Sequence, residues 1–137
     1  MELAQEINNS MPSYVVERIA EKLNDEKKAV NGAKVLLLGV TYKPNIADQR
    51  ESPAVPVARE LLKRQANVQF HDPFVPVWNI GSGESLSSEQ ELQTAVSEAD
   101  IVVLLQAHSP YDVAALQADS KLFLDTCGVV DAPSNRL

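Results

Sequence analysis

The sequence has little of what defines several protein classes. Its 137 residues include one cysteine, which excludes an internal disulfide and a multi-cysteine metal site, and no other cluster has the spacing of metal ligands. Basic residues number 12 against 19 acidic ones, and this net charge of −7 argues against a nucleic acid or an anionic membrane as the main partner. No apolar run approaches the roughly 18 residues of a membrane helix, and the N-terminus lacks the pattern of a signal peptide. The cytoplasm is therefore the expected compartment.

The composition is nevertheless that of a folded domain. Hydrophobic residues make up 45% and charged residues 23%, which excludes disorder of the whole chain. A chain of this length forms one domain with room for an appendage. A polar linker at 24–28 and the turn signal Asn31-Gly32 separate the two parts. We therefore predict a helical segment with its linker at residues 1–30 and the main domain at residues 31–137.

The first segment has the pattern of an amphipathic helix. Apolar side chains recur every four residues and form one stripe: Leu3, Ile7, Met11, Val15, Ile19 and Leu23. Pro12 interrupts the pattern, so either the helix is kinked there or a second helix begins near Ser10. The stripe needs a covering surface, and both its own domain and a second copy of the chain are open as that surface.

The rest of the chain alternates between strand and helix patterns. Apolar runs at 35–40, 68–71, 101–105 and 122–125 predict four strands, most of them buried on both faces. Helices are predicted from Ser52-Pro53 to about Gln65, after a cap at Ser87 or Ser88, and at 111–116, with a long loop around Trp78. The fold class is therefore α/β, a Rossmann-like parallel sheet flanked by helices and preceded by the N-terminal helical segment.

Ligands of such sheets bind beyond the carboxyl ends of the strands, where this sequence places polar residues. The first loop lacks G-x-G-x-x-G, since Gly39 is followed by Val40, so we expect no complete nicotinamide site on this domain. Lys43 and Arg50 precede the helix start at Ser52 and are natural phosphate contacts. A solvated loop carrying two ordinary surface cations is an equally weighted alternative.

Other polar residues at the strand ends favour structural roles. Asp72 could bind a ribose, but an Asx-Pro turn with Pro73 is the preferred interpretation. His108 lies near the ligand edge without a recognisable carboxylate or cysteine partner in the sequence. Cys127 is interpreted as a thiol at the edge of the core and not as a nucleophile. We assign no catalytic residue and no metal ligand.

Four stretches of the chain together resemble the sequence of a known protein family. The sequences VLLLGVTYKPN (35–45), DQRESPA (48–54), HDPFVP (71–76) and ADIVVLL (99–105) resemble the C-terminal UDP-binding domain of the UDP-glucose/GDP-mannose dehydrogenase family. The first segment looks like the end of that family's central dimerisation helix. The resemblance covers nearly the whole chain, and the spacing between Y-K-P-N and R-E-S-P makes it specific.

The resemblance implies a function and a set of site residues. Family members are oxidoreductases that convert the C6 alcohol of a nucleotide sugar to a carboxylate with two NAD+, which an N-terminal domain binds. A cysteine elsewhere in those enzymes forms the covalent thiohemiacetal. Tyr42 and Lys43 match the family's contacts to the nucleotide sugar, and Arg50 matches an arginine that approaches the cofactor. The implied partners are a UDP-sugar and, through the first helix, a second subunit.

One departure from the family pattern is Cys127, which stands where the family usually has the substrate-contacting arginine of D-T-R-G. Either UDP affinity is weaker or Arg136 or Lys43 compensates. The resemblance implies the UDP-sugar-binding domain of an NAD-dependent nucleotide-sugar 6-dehydrogenase, nearest in wording to the UDP-N-acetylmannosamine branch, that makes uronic acids for polysaccharide synthesis. The alternative is a standalone nucleotide-binding or regulatory module. The isolated chain is expected to be inactive as a dehydrogenase.

Overall fold

The structure, a computed structural model, describes residues 2–41, 52–81 and 83–127, and only the backbone of residues 2–11. These residues form four helices and six strands in the order α1 (Glu2–Asp25), β1 (Lys34–Leu38), α2 (Ala54–Lys63), β2 (Asn67–His71), β3 (Val77–Gly81), β4 (Glu84–Ser87), α3 (Leu92–Glu98), β5 (Ile101–Leu104), α4 (Val113–Asp119) and β6 (Phe123–Asp125).

The predicted parallel sheet is confirmed. Four strands pair in the order β2-β1-β5-β6, and each of the three pairings is parallel. The first strand ends at Leu38 and not at Val40, because Gly39 has a φ of +78° and turns the chain out of the strand. The central strands are continuous apolar runs because both of their faces are covered.

Each face of the sheet packs against a different set of elements. One face carries Val35, Leu37 and Val103, which are buried under α1, α2 and the β3–β4 hairpin. The other face carries Leu36, Leu38 and Val102, which are buried under α3 and α4. The period of two along β1 therefore divides its side chains between two hydrophobic clusters. This arrangement leaves the carboxyl edge of the sheet to the loops.

The first segment forms one helix, α1, that runs through Pro12. The alternative of a second helix that begins near Ser10 is therefore wrong. Val15, Val16, Ile19 and Leu23 are at most 3% exposed and belong to the hydrophobic cluster that also contains residues of α2. The second half of the predicted stripe is thus covered by the chain's own domain.

The loop predicted around Trp78 is instead an antiparallel hairpin, β3–β4. Trp78 and Ile80 are buried, and their neighbours in β3 are exposed, so one face of the hairpin joins the core. The ring of Trp78 meets Phe70 of β2 edge-on, with centroids 5.3 Å apart. Arg59 of α2 donates a hydrogen bond to the Ile80 carbonyl at 3.0 Å and ties the hairpin to the helix.

The predicted helix starts have mixed outcomes. Ser52 and Pro53 do begin a helix, since Ser52 Oγ accepts a hydrogen bond from Ala54 N at 3.2 Å and Pro53 has helical dihedral angles. The predicted cap of α3 is wrong, because Ser87 lies in β4 and Ser88 Oγ accepts a hydrogen bond from Asp72 N. Helix α4 begins at Val113, behind a cap in which Asp112 accepts a hydrogen bond from Ala115 N.

Candidate functional site

The order of the strands selects the end of β1 as the place where a ligand is expected. The chain passes from β1 to β2 on one side and then returns to β5 and β6 on the other side. In open α/β sheets, such a change of direction leaves a crevice beyond the carboxyl ends of the two strands concerned, here β1 and β5. The loops after these two strands therefore frame the candidate site.

The three residues with predicted ligand contacts, Tyr42, Lys43 and Arg50, lie outside the described residues. The structure describes the residues on either side of that segment. Thr41 before it and Ser52 after it are both buried, at 1% and 4% exposure. The described residues on either side of that segment therefore belong to the packed part of the domain.

Gly39 allows the end of β1 to lie against the loop that follows β5. A Cβ atom at position 39 would lie 2.5 Å from the backbone oxygen of Gln106, closer than atoms can approach. Gly39 N also donates a hydrogen bond to the His71 carbonyl at 3.0 Å. This glycine thus serves the approach of two protein segments, whereas the glycines of a dinucleotide fingerprint serve the approach of a pyrophosphate.

Asp72 connects three parts of the chain at this edge. Its Oδ1 accepts a hydrogen bond from Phe74 N at 2.7 Å, which is the Asx turn that the sequence favoured. Its Oδ2 accepts a hydrogen bond from Val40 N at 2.8 Å and lies 2.9 Å from His108 Nε2. Both oxygens are engaged and the side chain is fully buried, so these bonds leave Asp72 unsuited to bind a ribose.

His108 is the partner of Asp72, although 36 residues separate them. Because a carboxylate only accepts hydrogen bonds, His108 Nε2 carries the proton that it shares with Asp72. Thr41 Oγ1 lies 3.3 Å from the same nitrogen, and the Phe74 ring meets the imidazole edge-on at a centroid distance of 4.9 Å. The imidazole has no solvent exposure, so the geometry supports a structural role for His108 and not one as a catalytic base.

His71 and Tyr111 form a second polar pair at the same edge. The Tyr111 hydroxyl donates a hydrogen bond to the His71 carbonyl at 2.7 Å, and it accepts one from His71 Nδ1 at 2.9 Å. Burial lowers the pKa of His71, so the imidazole is neutral at neutral pH. Burial, with a contribution from the negative charge of Asp72, raises the pKa of Tyr111 far above its ordinary value. Both side chains are therefore uncharged.

The end of β6 is held by one bond within its own turn and by contacts with Leu104 of β5. Asp125 Oδ1 accepts a hydrogen bond from Cys127 N at 2.7 Å, and Thr126 Oγ1 donates one to the Leu104 carbonyl at 2.8 Å. The Cys127 sulphur lies 3.9 Å from that carbonyl. Cys127 is exposed as a residue, but desolvation of its thiol against the domain, with the nearby Asp125 charge, raises the pKa of Cys127 to about 11. The protonated thiol is a poor nucleophile, in agreement with the sequence interpretation.

Among the residues that the structure describes, no group of three or more histidine, cysteine and acidic side chains is placed to hold a metal ion. None of the helices α1 to α4, as far as the structure describes them, is long and apolar enough to cross a membrane.

Comparison with known sequences relates the chain to a family. The model of the UDP-binding domain of the UDP-glucose/GDP-mannose dehydrogenase family matches residues 36–132. The chain is 34% identical, over 93% of its length, to a UDP-N-acetyl-D-mannosamine dehydrogenase from Methanocaldococcus jannaschii. It is 33% identical, over 94% of its length, to an NDP-N-acetyl-D-galactosaminuronic acid dehydrogenase from Ralstonia solanacearum. The chain spans 29% and 30% of the lengths of these two relatives.

Comparison with solved structures gives the same relationship. A UDP-N-acetyl-mannosamine dehydrogenase from Staphylococcus aureus matches 96% of this chain with a TM-score of 0.70 at 31% identity, and the chain covers 31% of that structure. A UDP-D-ManNAc dehydrogenase from Pyrococcus horikoshii matches 96% of the chain with a TM-score of 0.76. At 22% identity, and with 30% of that structure covered, the second match supports the fold alone.

Proposed function

The chain belongs to the UDP-glucose/GDP-mannose dehydrogenase family, as its motifs predicted, and we propose that it is the UDP-sugar-binding domain of an NAD-dependent nucleotide-sugar 6-dehydrogenase. The match of the family's UDP-binding model to residues 36–132 carries this proposal. That range includes the segment with the Y-K-P-N and R-E-S-P motifs and the carboxyl ends of all four strands in the parallel sheet. The ligand edge therefore lies within the range that the family model matches, which supports the proposal.

The proposed substrate is a UDP-N-acetylhexosamine, and UDP-N-acetylmannosamine is the first candidate. The names of the relatives from Methanocaldococcus jannaschii and Staphylococcus aureus support this choice, as does the wording of the motifs. The enzyme would oxidise C6 of the sugar to a carboxylate and so supply a uronic acid for polysaccharide synthesis.

The proposed contribution of this domain is to bind and orient the substrate. Lys43 would place a positive charge beside the pyrophosphate, and Tyr42 would offer a flat amphipathic surface to the nucleotide sugar. Neither residue is a proton carrier in this proposal. Holding the sugar in one orientation is itself a large catalytic effect, because it removes translational and rotational freedom before the reaction.

NAD is the proposed oxidant, but the described residues do not fit a resident dinucleotide. Gly39 is packed against the Gln106 backbone, and both carboxylate oxygens of Asp72 bond within the protein. We therefore propose that a dinucleotide-binding domain outside these 137 residues binds NAD, and that Arg50 is this domain's contact to it. The chain alone should form no NADH from NAD+ and a UDP-sugar, and NADH formation above the blank would contradict this assignment.

A calorimetric titration of the chain with UDP and with several UDP-sugars tests the proposed function. Lys43→Ala should weaken binding by about 1.5–3 kcal/mol, the range expected for a lost charge-assisted hydrogen bond. Lys63→Ala is the matched control, because Lys63 is exposed at the end of α2, four residues before β2 begins at the opposite edge of the sheet. Equal UDP affinity in the parent chain and both variants would place the site elsewhere.

A second proposal concerns the oligomeric state. The first half of the apolar stripe on α1, whose side chains the structure does not describe, would pair with the same helix of a second subunit, as the family resemblance implies. Sedimentation velocity of the intact chain should therefore detect a dimer. A monomer at micromolar concentration would contradict this pairing, and a dimer that persists in the variant Ile7→Glu would place the contact elsewhere.

A further inference from the structure

The segment proposed to bind the nucleotide sugar follows three residues that contact other parts of the domain. The three residues before Tyr42 each contact a different group: Gly39 N donates to the His71 carbonyl, Val40 N donates to Asp72 Oδ2, and Thr41 Oγ1 lies 3.3 Å from His108 Nε2. Val40 and Thr41 are at most 1% exposed. The exit of β1 is therefore tied to the end of β2 and to the loop after β5.

Stability alone does not explain why the buried Asp72 carboxylate and the buried His108 imidazole make these contacts. Removing a charge from water has a large cost, and apolar side chains of similar volume often give equal or greater stability. A buried polar cluster does restrict its surroundings, because each donor and acceptor is satisfied in only one arrangement. In Asp72 the two oxygens accept from Phe74 N and Val40 N while His108 bonds to one of them, so displacement of Val40 would leave buried groups unpaired.

We infer that Asp72 and His108 are positioning residues, which hold Val40 and Thr41 so that Tyr42 and Lys43 start from a fixed point at the ligand edge. The inference rests on the proposed function, because it takes Tyr42 and Lys43 as the ligand contacts. Consecutive Cα atoms lie about 3.8 Å apart, so the place of Thr41 limits where the next two residues can reach. Without the pair, only a fraction of molecules would present them correctly, and the apparent affinity would fall by that fraction.

The test compares substitutions at His108 that differ in one hydrogen-bond donor. His108→Leu removes the donor and keeps an apolar side chain in the buried site, whereas His108→Gln retains an N–H that can reach Asp72. The matched control is His71→Leu, the same change at the end of β2, where the imidazole bonds to Tyr111. Calorimetry measures UDP affinity, thermal unfolding measures stability, and amide hydrogen exchange measures the opening of Val40 and Thr41.

The inference predicts that His108→Leu binds UDP about tenfold more weakly, as expected if about a tenth of the molecules keep the competent arrangement. Its Val40 and Thr41 amides should exchange faster. His108→Gln and His71→Leu should bind UDP within about twofold of the parent. If His108→Leu does not fold, Thr41→Val removes the hydroxyl of the same cluster at nearly constant volume and should weaken UDP binding about threefold.

The outcomes that contradict the positioning role differ from those that contradict the proposed function. A folded His108→Leu chain with parental UDP affinity and a lower unfolding temperature would leave His108 a merely structural residue and would overturn the inference. A parent chain that binds neither UDP nor a UDP-sugar would overturn the proposed function. In that case unchanged exchange at Val40 and Thr41 in His108→Leu would also overturn the positioning role, and faster exchange would support it.

Discussion

The aspartates at two ends of the same sheet edge are both buried, yet their carboxylates bond to different parts of the chain. Asp72, after β2, accepts hydrogen bonds from Phe74 N and Val40 N and pairs with His108, partners that lie up to 36 residues away. The bond described for Asp125, at the end of β6, is to Cys127 N, two residues further on. At the β2 end the carboxylate itself links several elements, whereas at the β6 end the described side-chain bonds to β5 come from Thr126 and Cys127, which contact the Leu104 carbonyl.

This difference predicts how substitutions at the two ends of the carboxyl edge will act. At the β2 end, a substitution disturbs the exit of β1 and the loop after β5 together, because both contact Asp72. At the β6 end, Thr126 donates the 2.8 Å side-chain bond to the Leu104 carbonyl of β5, so a substitution at Cys127 disturbs mainly its turn and the long 3.9 Å contact of its sulphur. The one departure from the family pattern, Cys127 in place of an arginine, falls at this second end. We therefore expect the β2 end to determine the architecture and the β6 end to tune ligand affinity.

The largest expected effect is on stability at the β2 end. Asp72→Ala leaves the buried Val40 N and His108 and the partly buried Phe74 N without their acceptor, and it should lower the free energy of unfolding by about 3–5 kcal/mol. Asp125→Ala should lower it by about 1.5–3 kcal/mol, the range for a lost hydrogen bond to a charged group. Urea denaturation of the two variants measures both values. Equal losses would break the comparison between the two ends.

The next effect concerns Gly39, which lies at the exit of β1. Gly39→Ala introduces a side chain at positive φ and a Cβ 2.5 Å from the Gln106 oxygen, whereas Gly32→Ala introduces only the positive φ, with no atom within 4 Å. We expect Gly32→Ala to lower the free energy of unfolding by about 1–2 kcal/mol. Gly39→Ala should lower it by about 1–3 kcal/mol more than Gly32→Ala, because of crowding. Similar values in urea denaturation would show that the end of β1 can move away from β5.

A smaller effect is expected on binding at the β6 end. Cys127→Arg restores the charge and the planar donor group that the family resemblance places there, and it should tighten UDP binding about tenfold, or roughly 1.4 kcal/mol. Cys127→Ala, which removes the thiol without adding charge, should leave the affinity unchanged. Calorimetric titration measures both. Weaker or unchanged binding by Cys127→Arg would mean that this end does not face the nucleotide.

The smallest effect is a dependence of stability on pH that arises from His71. Burial lowers the pKa of His71 in the folded state below its ordinary value of 6.5, so protonation favours the unfolded chain. Its contribution to stability is complete above about pH 6.5 and is lost as the pH falls through the lowered folded-state pKa. His71→Gln should therefore lose less stability than the parent between about pH 7 and pH 5. Because His71 is partly exposed, we expect a difference of about half a kcal/mol or less, and parallel thermal-unfolding profiles would contradict this assignment.

The strands that carry the site could be predicted because their burial leaves a direct signal. Strands β1 and β5 are covered on both faces, so their sequences are continuous apolar runs. The hairpin had a signal too, since the buried Trp78 and Ile80 alternate with exposed residues before Gly81, but interpreting the segment as a long loop overlooked this period of two.

The Asp72–His108 pair could not be predicted from spacing alone. The two residues meet because β1 lies between β2 and β5 in the sheet, and neither residue type specifies that order. His108 therefore had no visible carboxylate partner in the sequence, although Asp72 was already recognised as a polar strand end. For Tyr42, Lys43 and Arg50, the family resemblance supplied roles that periodicity and spacing did not contain, and these roles stay predictions.

The most direct test of the central claim, that UDP binds at the carboxyl edge of the sheet, is a titration of the isotopically labelled chain with UDP followed by NMR. The account predicts that the amide signals of Gly39, Val40, Thr41 and Gln106 shift together and saturate with one dissociation constant. Signals at the opposite edge, such as those of Lys34 and Asn67, should stay in place. Shifts confined to that opposite edge, or no shift at saturating UDP, would contradict the account.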